Sequence, residues 1–77
     1  MEENLKNKIY EHMEAFARNL RLERESRGLT QKQVADSIGI KTQSYQAYES
    51  GISMPTMENL IRLAILFDFS IDDLLEL

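Results

Sequence analysis

Cysteine is absent from this chain, so neither a disulfide nor a thiolate metal site can hold it together. Tryptophan is absent too, and one proline and three glycines leave few breaks in the chain. The longest mainly apolar run, Leu60 to Phe67, is interrupted by Arg62 and falls far short of the ~20 residues of a membrane span. The amino terminus is too charged for a signal peptide, so the expected location is cytoplasmic, with no membrane partner. Strand patterning is missing as well: no alternation of period two is sustained, and β-branched residues are scattered. The chain also lacks a nucleophile-and-base pair, a metal-ligating constellation and a glycine-rich phosphate loop. At 77 residues it is too short for a deep pocket, so no enzyme, cofactor, metal site or small-molecule ligand is expected.

What remains is helix. Leu5, Ile9, Met13, Phe16 and Leu20 recur every three to four residues and lay one apolar stripe along a first helix ending near Arg27, where Gly28 supplies a left-handed stop. Thr30 with Gln33 has capping-box spacing and opens a second helix, Gln31 to Ile38. It buries Val34, Ala35 and Ile38 and closes at Gly39. A third helix follows Lys41 and runs to Gly51, with Tyr45 and Tyr48 on its inner side as core residues. Thr56 caps a fourth, whose packing face reads as Met57, Leu60, Ile61, Ala64 and Phe67. Ser70 and Asp73 repeat the capping spacing for a fifth, Ile71 to about Glu76. His12 stands alone and reads as helix surface.

Charge is unevenly distributed. Residues 1–52 carry eight Lys/Arg against eight Asp/Glu, residues 53–77 one against five, so the net charge of −4 belongs to the carboxyl end. That end should face away from any polyanion, or be ordinary solvated surface.

Two short helices joined through a glycine turn, between longer ones, make the layout of a DNA-reading helix-turn-helix. At 100° per residue, Thr42, Gln43, Gln46, Ala47 and Ser50 share one arc of about 140° on helix three, with Tyr45 and Tyr48 roughly opposite. The arc is short, polar and uncharged. Glutamine can pair with adenine in a major groove, and alanine or threonine methyls can meet the thymine methyl. Solvation is the bland alternative for such a face. The amino terminus of helix two offers free N–H groups and a partial positive charge to a phosphate.

The run Leu20-Arg21…Arg24…Gly28-Leu29-Thr30-Gln31…Val34-Ala35…Gly39-Ile40…Tyr48-Glu49-Ser50-Gly51…Pro55…Leu60…Ala64 resembles the phage-repressor and Cro-like (Xre-type) family in pattern and spacing. The resemblance implies an all-α, five-helix, lambda-repressor-like domain. Residues 1–13 are then an amino-terminal extension of helix one, and 14–77 a helix-turn-helix domain with a carboxyl-terminal dimerisation helix. It further implies that Thr42, Gln43 and Ala47 face bases, to which the arc adds Gln46. Thr30 and Gln31 grip backbone phosphate, with Lys41 and Ser50 expected beside them. Arg24 and Glu49 match an internal salt bridge of the family and are assigned to the fold.

Two positions depart from the family pattern. Lys41 stands where Ser or Thr usually caps helix three, a loss compensated if Lys41 turns toward phosphate; and Ile52-Ser53-Met54 lacks the basic residues many relatives carry. A weak grip per copy makes a homodimer on a near-palindromic double-stranded operator the expected working form, its reading helices roughly 34 Å apart. Ile71, Leu74, Leu75 and Leu77 are the first candidates for its interface and the stripe from Leu5 to Met13 the second, with core completion as the rival for both. The expected function is transcriptional regulation, by repression in the first instance. The alternative is a protein-interaction module on the same fold binding a toxin or co-regulator, against which the lack of apolar anchors on helix three argues.

Overall fold

A computed structural model describes residues 2–77, with side chains from residue 3; Met1, the first residue of the expected extension, lies outside the described residues. The fold is all-helical: α1 (Glu2–Ser26), α2 (Gln31–Ile38), α3 (Thr42–Ser50), α4 (Met57–Phe67) and α5 (Ile71–Leu75). At 1.5 Å per residue α1 alone spans most of the 41 Å long axis. The other four helices gather around its carboxyl-terminal half.

Local chemistry sets the boundaries. Thr30 accepts from the Gln33 backbone N–H at 3.0 Å while the Gln33 side chain accepts from the Thr30 N–H at 2.8 Å, closing a capping box. Thr56 and Ser70 cap α4 and α5 with one bond each, their hydroxyls accepting from the Asn59 and Asp73 backbone N–H groups without the return bond of a capping box. Lys41 precedes α3 with no side-chain cap, as its residue type requires. Gly39 and Gly51 close α2 and α3 at φ of 74° and 78°, where a side chain is strained. Asp68 takes the same left-handed turn after α4 without being glycine. Arg27 reaches this end of the helix, donating to the Phe67 carbonyl and lying over the Phe67 ring.

The core joins Phe16 and Leu20 of α1, Val34, Ala35 and Ile38 of α2, Tyr45 and Tyr48 of α3, Leu60, Leu63 and Phe67 of α4, and Leu74 of α5. Leu74 is fully buried, and burial of a leucine contributes about 1.5–3 kcal/mol, so tertiary packing holds a five-residue helix that propensity could not. His12 docks α5 as well: its Nδ1–H donates to the Leu75 carbonyl at 2.7 Å, so the ring is half-buried and not plain surface. Asn19 donates to the Leu74 carbonyl, and Arg18 pairs with Glu76 at 2.7 Å.

Besides His12, three expectations change. Met57 and Ile61 do not face the core; Leu60, Leu63 and Phe67 do, and Leu63 was not expected there. α4 is apolar on two adjacent sides, so periodicity alone could not choose between them. Leu5 and Ile9 are exposed because α1 begins before the bundle it packs on. Leu74, expected at a dimer interface, is enclosed by its own chain, with Ile71 and Leu75 partly covered; only Leu77 of that set is open, at 73% exposure.

Candidate nucleic-acid interface

α2 and α3 cross closely because Ala35, with no side chain beyond Cβ, lies at the contact and is fully buried. Tyr45 and Tyr48 anchor α3 inward, their rings edge to face at 6.3 Å. The Tyr48 hydroxyl accepts from the Asn59 amide of α4 at 3.3 Å. With α3 fixed on that side, the opposite side presents Gln43, Gln46 and Ser50 exposed, flanked by half-buried Thr42 and Ala47.

Behind this face lies an ion pair. The Arg24 guanidinium donates through Nε to Glu49 Oε2 at 2.6 Å and through Nη2 to Oε1 at 2.9 Å, with a third bond to the Leu29 carbonyl at 3.0 Å. The side chains are only 14% and 4% exposed. Burial pushes the Glu49 carboxyl up, but the Arg24 and Gln31 hydrogen bonds outweigh it and hold it below the ordinary carboxylate value. The hydrogen bond to Glu49 likewise raises Arg24. The buried Tyr45 hydroxyl is raised by burial first and by the nearby carboxylate second, yet it meets no partner in hydrogen-bond geometry.

From this pair a polar chain runs to the surface. Gln31, first residue of α2, donates through Nε2 to Glu49 Oε1 at 3.2 Å and accepts at Oε1 from Gln46 Nε2 at 3.2 Å. The sequence carries no local signal for this link, since Gln31 and Glu49 are 18 residues apart and meet only because α2 and α3 pack as they do. Thr30, Gln31 and Gln46 therefore stand together at one edge of the α3 face. Thr42 and Lys41 belong to the start of α3 and Ser50 to its end, where the Ser50 hydroxyl donates to the Ala47 carbonyl. Sequence reasoning also missed Arg62, which reaches from α4 to the Ile38 carbonyl at 3.2 Å and so closes the negative end of α2. No cluster of metal-ligating side chains occurs among the described residues, and none of their helices is long and apolar enough to cross a membrane.

Comparison with known proteins adds a profile described as helix-turn-helix, which matches residues 20–74, from the last third of α1 to α5. The chain belongs to the helix-turn-helix family. Over 52 residues this helix-turn-helix chain is 50% identical to the cryptic phage CTXphi transcriptional repressor RstR of Vibrio cholerae, covering 68% of this chain and 46% of the repressor. The uncharacterized HTH-type transcriptional regulator YqaE of Bacillus subtilis is 39% identical over 61 residues, 79% of this chain and 53% of that one. A crystal structure of a transcriptional regulator from Listeria innocua superposes with a TM-score of 0.76 at 39% identity, over 80% of this helix-turn-helix chain and 58% of that one. The chain spans about half the length of the curated relatives it matches. The Xre-type resemblance of the sequence and the all-helical fold, with five helices and no strand among the described residues, both agree with these findings.

Proposed function

We propose that this chain is the DNA-reading unit of a cytoplasmic transcriptional repressor, with α3 entering the major groove of a near-palindromic site and two copies bound to its two halves. The observation that carries the reading is the polar, uncharged α3 face of Thr42, Gln43, Gln46 and Ala47, backed by a buried ion pair and joined through Gln31 to the amino terminus of α2. In that role the four α3 residues meet base edges. Thr30, Gln31, Lys41 and Ser50 meet the phosphates on either side, Gln31 with help from the α2 amino terminus. The names of the relatives, a phage repressor and bacterial transcriptional regulators, support regulation as the outcome of binding.

Selection from randomised duplex DNA at about 100 mM salt tests the reading, with wild type set beside a Thr42→Ala/Gln43→Ala variant. The expected result is a near-palindrome enriched by wild type and not by the variant, with both equally folded. A folded wild type that enriches no sequence overturns the proposal and leaves a protein partner as the reading to pursue.

A further inference from the structure

α4 is apolar on two sides, and the core of this chain uses one. On the other side Met57 is 68%, Ile61 43% and Ile65 74% exposed, one ridge at i, i+4 spacing, with Leu66 beside it at 37%. Ile65 stands between two open hollows, one walled by Ile38 and Arg62 toward α2, the other by Phe69 and Ile71 toward α5. A ridge with a groove on either side is a surface that an identical surface, turned by a twofold axis, can fill.

We propose that a second copy of this chain docks on this ridge, α4 against α4 and antiparallel, about a twofold axis passing beside Ile61. The proposal rests on the two-copy reading above and names the surface that reading needs. In this register Ile65 of each copy meets Met57 of the other, and the small Ala64 leaves room for close approach. Charge agrees with it: at 1.5 Å rise per residue, Arg62 of one copy lies about 3 Å along the axis from Glu58 of the other, on the same flank. Within one copy Arg62 already pairs with Glu58 at 2.6 Å, so the four charges form one alternating cluster across the axis. Asp68 falls at the far end of each helix, away from its counterpart. The open apolar area is on the order of 400 Å² per copy, about half of what a standard interface takes from one partner. Pairing is therefore weak in free solution and completed on DNA, where adjacent half-sites supply a high effective concentration.

The absence of cysteine makes a direct test possible with single-cysteine variants Ile61→Cys, Leu77→Cys and Leu5→Cys, oxidised alone and on a duplex selected by wild type. Ile61→Cys is expected to form covalent dimer at least tenfold faster than the other two. Ile65→Asp, at an exposed position and checked for an unchanged melting temperature, should weaken self-association at least tenfold. Cross-linking through Leu77→Cys or Leu5→Cys instead overturns this surface and leaves the two-copy reading standing. A selected duplex occupied by one copy, with no variant cross-linking, overturns both. Ile61→Cys dimers from a protein that selects no duplex support the surface while the DNA reading falls.

Discussion

Gln46 donates its side-chain amide to the side-chain oxygen of Gln31 across the α2–α3 contact, at 3.2 Å. The direction of that bond follows from Glu49. An ionised carboxylate only accepts, so Gln31 must turn its NH2 group to Glu49, which leaves its oxygen for Gln46. Gln46 must then donate inward, and it presents its own oxygen and its second N–H to solvent. That pair of groups, held in one orientation, matches the N6–H donor and N7 acceptor of adenine.

Gln31→Met keeps the length of the side chain and removes both bonds, so Gln46 is released to rotate. In site selection this variant should keep the base preferences read by Thr42 and Gln43 and lose preference at one base pair per half-site. Gln46→Ala should lose the same position. A selection profile for Gln31→Met identical to wild type at every position would reject the orienting role, whatever its effect on overall affinity.

The Arg24–Glu49 pair predicts a stability loss with a pH signature. Removing one partner strands the other, so Glu49→Ala should cost about 3–5 kcal/mol in urea unfolding, while Arg24→Met/Glu49→Leu should recover most of it. Because the folded carboxyl lies below its ordinary value of 4.5, its contribution is fully present above that value and fades as pH falls through the lower folded one. The acid loss of stability in wild type should therefore be shallower in the double variant. An equal acid slope in both proteins would assign the loss to other carboxylates.

Gly39 carries a backbone prediction. Its φ is 74°, and a Cβ there would have no heavy atom within 4 Å, so Gly39→Ala meets no clash and bears only the left-handed penalty of about 1–2 kcal/mol. Gly39→Asn, a residue more tolerant of that region, should lose less. Thermal unfolding of the two variants checks the order; equal losses would point to packing at the turn instead of backbone strain.

These features differ in how far the sequence announced them. The glycine turn, the Thr30 capping box and the inward tyrosines are local patterns, and α2 appears over the very residues that its cap, apolar spacing and glycine stop define. Ala35 was legible as a buried residue of α2, and its small size is what lets α3 cross closely there. The outward ridge of α4 was hidden because Met57, Leu60, Ile61, Leu63 and Ile65 supply two apolar faces, and only tertiary packing selects one. Leu74 was misjudged for a related reason: with five residues in α5, the number of leucines suggested excess surface, but Leu74 packs into the core with Phe16 and Leu20 of α1. The Glu49–Gln31–Gln46 chain depends on the crossing of two helices and has no counterpart in spacing along the chain.

Lys41 is the one cation among the residues proposed to meet phosphate; Thr30, Gln31 and Ser50 are neutral. Each Lys or Arg that neutralises a phosphate contributes about −0.9 to the slope of log K against log salt on duplex DNA. A two-copy complex should then lose roughly two units of slope in Lys41→Ala while keeping its base preferences, since a phosphate contact carries no sequence information. Thr42→Ala should do the reverse, flattening preference at one base pair per half-site with the slope unchanged. Titrations of a fluorescent duplex from about 50 to 200 mM salt separate the two behaviours. An unchanged slope in Lys41→Ala would mean that Lys41 points to solvent, and that the α2 amino terminus and neutral side chains hold the backbone without it.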